Sequence, residues 1–218
     1  MHRRWLSRAL IALVVPATLS APALTSTATA APAGPGVPTV PQAATVYPHL
    51  AGGTSTESAG KVYGPGKRCK AGKPIKGASA RSASYSAPVD YTDPTSFQMT
   101  GAEPGVFVTA MRFPSAKSAI AYLHKSTAST KKCPTTTPGG GGAKIKAKIT
   151  RIKFRLGDER WGYQTRMTYS GQTIISDNLF VRAGKFIVYT SAMSTDGRAP
   201  SVPKAIQLTK VSLKAARH

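Results

Sequence analysis

Carboxylates are scarce in this chain: 8 Asp and Glu stand against 30 Lys and Arg in 218 residues, a formal net charge of +22. Chemistry that needs paired acids or oxygen-rich metal sites therefore has few places to reside. Only Asp158-Glu159, in "RLGDERWGY", sets two acids side by side, and adjacent strand residues point to opposite faces, so the reading there is a tight step at Gly157-Asp158. In that reading Asp158 bonds backbone amides and Glu159 pairs with a nearby Arg or Lys. Asp90 and Asp93, in "PVDYTDPT", read as turn residues in preference to calcium ligands. Histidine is equally thin: His49, His124 and His218 follow the leader with no metal-ligand spacing. No G-x-S-x-G elbow is present, so no catalytic residue, metal or cofactor is assigned.

Cysteine is limited to Cys69 and Cys133, 64 positions apart, with no CxxC spacing that would favour a redox or metal site. An even pair in an exported chain most often forms a disulfide, and closing so long a loop would stabilise the fold by about 4 kcal/mol in the chain-entropy argument. Long apolar runs are missing too. The run "ALIALVVPATL" is shorter than the ~20 residues of a spanning helix and is interrupted by Pro16.

That run has the setting of a secretory signal peptide, with Arg3, Arg4 and Arg8 before it and the small-residue site Ala28-Thr29-Ala30 after it. Cleavage is expected after Ala30, so residues 1–30 are leader. No cysteine sits at the cut to carry a lipid. The remaining 27 basic and 8 acidic residues leave a formal charge of +19. Outside the cell that charge draws wall polymers and acidic lipid headgroups in a salt-dependent way, without implying specific nucleic-acid recognition.

Residues 31–66 are rich in Pro, Ala, Gly and Thr and read as a linker in which Tyr47, Leu50, Val62 and Tyr63 can dock locally. The domain is then 67–218. Gly105–Phe113 reads as a buried strand after a weaker one at "SFQMT". Ala116, Ala119, Ile120 and Leu123 recur at helical spacing behind Ser115 as N-cap. Three strand-like runs follow, "RWGYQTRMTY", "QTIISDNLFVR" and "KFIVYTSAM", with turns at Ser170-Gly171 and Ala183-Gly184. A closing helix presents Val202, Ile206, Thr209 and Leu213 inward, with Pro203 in its first turn. The fold expected is α+β, an antiparallel β-sheet meander flanked by helices, with one disulfide.

The most charged run is "KIKAKITRIKFRL". Apolar residues sit at odd positions through Ile149 and at even positions from Ile152, so their parity changes. A β-bulge near Thr150-Arg151 would return them to one face and set Lys144, Lys146, Lys148, Arg151, Lys153 and Arg155 on the other. Such a ribbon is either an edge strand kept soluble by its lysines or a surface for polyanions or phosphate-bearing ligands.

"AMRFPSAKSAIAYLHKSTASTKKCP", and "RLGDERWGYQTRM" followed by "DNLFVRAGKFIVY", resemble the strand-helix-Cys unit and the Leu-Gly-Asp-Glu hairpin of the extracellular sensor domain of actinobacterial PknH-type serine/threonine kinases and related secreted proteins. The resemblance spans about Cys69 to the C-terminus. It implies a helix-flanked antiparallel sheet with a cleft and an extracytoplasmic ligand-binding role without catalysis. Members joined to a kinase commonly carry a second disulfide and a Trp before the helix-end Cys. This chain has a single cysteine pair and Thr130-Lys131-Lys132 before Cys133. Three functions follow as expectations: a secreted, sensor-like envelope domain binding an unnamed small or polymeric ligand, a cationic wall-associated protein without a discrete ligand, and a hydrolase with an unrecognised site.

Overall fold

The computed structural model describes residues 34–66, 71–88, 103–132, 135–136, 145–169 and 171–218, within a unit that runs from Pro32 to His218. Cys69, Cys133, Lys144, Asp90, Asp93 and the run "SFQMT" lie outside the described residues, and with them the expected disulfide.

Seven strands form the main sheet: β1 (Thr54–Pro65), β2 (Ala71–Ser86), β3 (Gly105–Arg112), β6 (Lys148–Ile152), β7 (Glu159–Tyr169), β8 (Gln172–Ala183) and β9 (Phe186–Ser194). Their order is β1-β2-β3-β9-β8-β7-β6, and every neighbouring pair is antiparallel. Two short strands, β4 (Thr135–Thr136) and β5 (Ile145–Lys146), pair with each other. The expected meander is β7-β8-β9. At its first turn Tyr169 pairs with Gln172, with Ser170 outside the described residues, and its second turn is Gly184-Lys185, one residue later than the sequence suggests.

Residues 31–66 are not simply a linker: Val40–Ala44 forms helix α1, Pro48–Leu50 a 3-10 turn, and Thr54–Pro65 the outermost strand. Composition misleads here because few apolar side chains are needed when each one is placed. Thr39 and Gln42 close a capping box over α1. Tyr47 and Leu50 are fully buried, and the Tyr85 hydroxyl donates to the Pro38 carbonyl at 2.6 Å. The β1-β2 hairpin had no strand signature, since of β1 only Val62 is buried.

Both faces of the sheet are covered. Helix α3 (Val202–Ala215) and α1 pack on one face with Tyr85, Val108, Val181 and Val188. Helix α2 (Ala116–Lys132) lies on the other, where Ala119 and Leu123 meet Val62, Met111, Phe113, Trp161 and Ile187. Ser115 Oγ caps α2 by accepting from Ser118 N, and Ser201 caps α3. The inner stripe of α3 is Ala205, Leu208, Thr209, Ser212 and Leu213, with Val202 and Ile206 only half-buried. Small side chains let this helix settle closely: Thr209 and Thr190 share a 2.6 Å hydroxyl contact, and Ser212 and Thr209 bond their own preceding turn.

Candidate functional site

Chain order places the site. Helix α2 follows directly on the inner strand β3, and the chain after it reaches β6 at the far edge of the sheet. A groove of about 1090 Å³ lies along the C-terminal half of α2 and the β6-β7 edge. Leu123, Thr127, Ala128 and Lys132 form the helix wall; Arg151 to Arg155 and Trp161 form the strand wall. Gly162 makes that wall possible. A Cβ there would stand 2.8 Å from the Phe154 ring and 2.9 Å from Leu179, so glycine lets Phe154 lie over β7 without either side chain shifting. Beneath Arg151 lies Trp161, nearly buried, with the guanidinium carbon 4.5 Å from its ring centre, a cation-π stack.

The two neighbouring acids converge in place of diverging. Asp158 sits in the bend before β7 and Glu159 is its first residue, so strand alternation does not separate them. Arg182, the register partner of Glu159, reaches both: Nη1 donates to Asp158 Oδ2 at 2.9 Å, and Nε lies 3.5 Å from Glu159 Oε2. Asp158 Oδ2 also accepts from Gly184 N at 2.8 Å, and His124 Nε2 stands 3.5 Å from Glu159 Oε2. The expectation of backbone and cation partners for these acids matches these contacts. The single Arg182 guanidinium offsets one of their two negative charges. Lys132, Arg151, Lys153 and Arg155 outnumber the two acids and set the sign of the groove, and Arg160 braces the segment after β6 by donating from Nε to the Phe154 carbonyl at 2.8 Å.

The cationic ribbon of the sequence does not form as one face. Pairing runs unbroken from Lys148 opposite Arg166 to Ile152 opposite Gly162, with no bulge within β6. Lys148 and Arg151 consequently lie on opposite faces. The parity of the apolar residues changes because this sheet is buried on both sides. Ile149 joins the α2 face, whereas Phe154 and Leu156 pack toward the α3-side core. Arg151, Lys153 and Arg155 reach the groove. The backbone of Lys146 pairs with Thr135 in the small sheet.

Sequence reading missed His124, Lys132, Trp161 and Arg182 as site residues. The first two had a signal: His124, Ala128 and Lys132 recur every fourth residue on one stripe of α2. Arg182 had none, since its partners are more than twenty residues away.

A second cavity of about 410 Å³ lies between α2 and the sheet, lined by Tyr122, Ser126, Thr130, Tyr163, Thr165 and Asn178 among others, with no charged side chain among the described residues that line it. Burial pushes the Tyr122 and Tyr163 hydroxyls above the ordinary phenol range, so they stay protonated donors. The described lining of this cavity is uncharged and mixes hydroxyls with apolar side chains such as Ile149 and Met167; the groove is cationic.

No protein-family model and no curated protein matches this chain. Among solved structures it is similar to the extracellular domain of PknH from Mycobacterium tuberculosis, at 13% identity over 84% of this chain and 93% of that one, with a TM-score of 0.48. A putative uncharacterized protein from Mycobacterium smegmatis matches at 9% identity over 85% of this chain and 100% of that one, with a TM-score of 0.41. LpqN, described as involved in cell envelope biogenesis of Mycobacterium tuberculosis, matches at 11% identity over 76% of this chain and 83% of that one, with a TM-score of 0.24. Likeness this distant transfers neither a ligand nor an activity. Among the described residues no helix is long and apolar enough to cross a membrane.

Proposed function

We propose that this chain is an extracytoplasmic, non-catalytic binding domain whose groove along α2 and the β6-β7 edge receives an anionic ligand. One observation carries the reading. Lys132, Arg151, Lys153 and Arg155 line the groove, while its two acids are engaged by Arg182. Low-dielectric walls such as Leu123 and Trp161 concentrate the field of those cations on whatever enters. The signal-peptide pattern of residues 1–30 supports export to a compartment where anionic envelope components abound.

A thermal-shift series on the protein lacking residues 1–30 tests it, with inorganic phosphate, pyrophosphate, glycerol phosphate and polyphosphate as probes. At least one anion should raise Tm, and Lys153→Glu with Arg155→Glu should abolish the rise. The competing reading is diffuse adsorption of polyanions by overall charge. Lys148→Glu, on the face of β6 opposite Arg151, discriminates the two: diffuse adsorption loses as much from it as from Lys153→Glu, and groove binding does not. Equal losses would overturn the groove.

A further inference from the structure

The spacing of the cations narrows the ligand. From Arg151 to Leu156 exposure alternates strictly, with Arg151, Lys153 and Arg155 exposed and Ile152, Phe154 and Leu156 half-buried. Phe154 and Leu156 pack against the α3-side core, which holds the segment extended after β6 has ended. Arg160, bonded to the Phe154 carbonyl, fixes the middle of that segment. Three cations therefore stand in a row at alternate positions, separated by about 6.6 Å at ~3.3 Å per extended residue. All three line the groove.

We infer that the groove binds an extended phosphodiester polymer whose phosphates are joined by a three-carbon polyol, with Arg151, Lys153 and Arg155 each taking one phosphate. This rests on the groove being the anion site proposed above. The match is one of repeat length. From one phosphorus to the next such a polymer has the same number of backbone bonds as the peptide has between alternate residues, so its charges keep step with the cations without strain. An extended polycarboxylate peptide matches that repeat with only every second charge and turns the others away from the row, and a lone phosphate can use only one position of it. Single-stranded nucleic acid has the same bond count, but its recognition in a groove draws on exposed aromatic faces for base stacking. Here the face of Trp161 is occupied by Arg151, and its residue exposure is 8%. The polyol phosphate is the occupant that needs no stacking platform.

Trp161 also supplies the probe. Trp5 and Trp161 are the chain's two tryptophans, so protein lacking residues 1–30 reports from the groove alone. Trp161 emission is titrated with poly(glycerol phosphate), glycerol 3-phosphate, polyglutamate and oligothymidylate over a range of salt. Poly(glycerol phosphate) should change the emission, and log K should fall against log salt with a slope of about −2, as three contacts at ~0.7 each require. Lys153→Gln with Arg155→Gln should lower affinity at least tenfold and leave about one third of the slope. Lys148→Gln should leave both nearly unchanged.

Equal affinity for glycerol 3-phosphate overturns the matched row, and equal affinity for polyglutamate overturns the phosphodiester as its occupant; both keep the anion groove. Oligothymidylate binding as tightly as the polyol phosphate overturns the choice of polymer. Silence toward every anion in both emission and Tm overturns the inference and the proposed function together. Should the double variant fold poorly by circular dichroism, the salt slope of the parent alone decides, since a slope near −0.7 means a single contact.

Discussion

Arg182 Nη1 lies 2.9 Å from Asp158 Oδ2, and the same carboxylate oxygen accepts the Gly184 amide at 2.8 Å. One oxygen thus ties the bend before β7 to the turn between β8 and β9. The Arg182 side chain is 10% exposed, so its charge has little access to water and depends on Asp158 and Glu159. Asp158→Asn keeps the shape and removes the charge. It should cost about 2 kcal/mol in denaturant unfolding, within the range of hydrogen bonds to charged groups. A double-mutant cycle with Arg182→Met should return a coupling above ~0.5 kcal/mol; additivity would show that the contact is incidental.

Gly157 precedes that bend with φ of 64°, and an added Cβ would stand 2.4 Å from Val181 Cγ1 and 2.5 Å from the Arg182 carbonyl. Left-handed backbone alone costs a side chain about 1–2 kcal/mol. The steric conflict adds to it, because a β-strand and its backbone carbonyl cannot retreat cheaply. Gly157→Ala should therefore destabilise the protein by more than about 2 kcal/mol, measured by chemical denaturation. A loss below half that amount would mean that the bend is free to rearrange.

Parts of this fold were legible because their signals are local. Ala119 and Leu123 at helical spacing behind Ser115 mark α2, and the alternation Trp161, Tyr163, Met167 marks the face of β7. Two other parts were opaque for a physical reason. Strand β1 buries only Val62, so its pairing with β2 is held by backbone bonds and leaves no period in the sequence. The run around Ile149 and Ile152 assumed a sheet with one dry face, and a sheet covered on both faces accepts either parity without a bulge. The cations at Arg151, Lys153 and Arg155 were visible as a run, but what makes them a site is the α2 wall opposite. That wall follows from a crossover between β3 and the β6 edge, a long-range feature that spacing alone does not contain.

Asp177 supplies a prediction about pH. Its residue has no exposed surface, it stands on the α3 face between Ile175 and Leu179, and its Oδ1 accepts from Gln164 Nε2 at 2.9 Å. Burial is the main cause that raises its carboxyl above the ordinary value, with the Gln164 bond pulling the other way. A raised carboxyl means that the folded state favours the protonated form more than the unfolded chain does. The stabilising contribution is therefore fully present below the usual carboxylate range near ~3.9 and is lost as pH rises through the higher folded value. Asp177→Asn mimics the neutral form at every pH and can still accept from Gln164 through its amide oxygen. Relative to the parent, Tm of the variant should be higher near neutral pH, and the difference should shrink steadily on acidification toward pH ~4. Comparing the two proteins at each pH cancels the titration of every other group. A constant Tm difference across that range, or a parent that gains on the variant as pH rises, would show that Asp177 is held as a charged group by its surroundings.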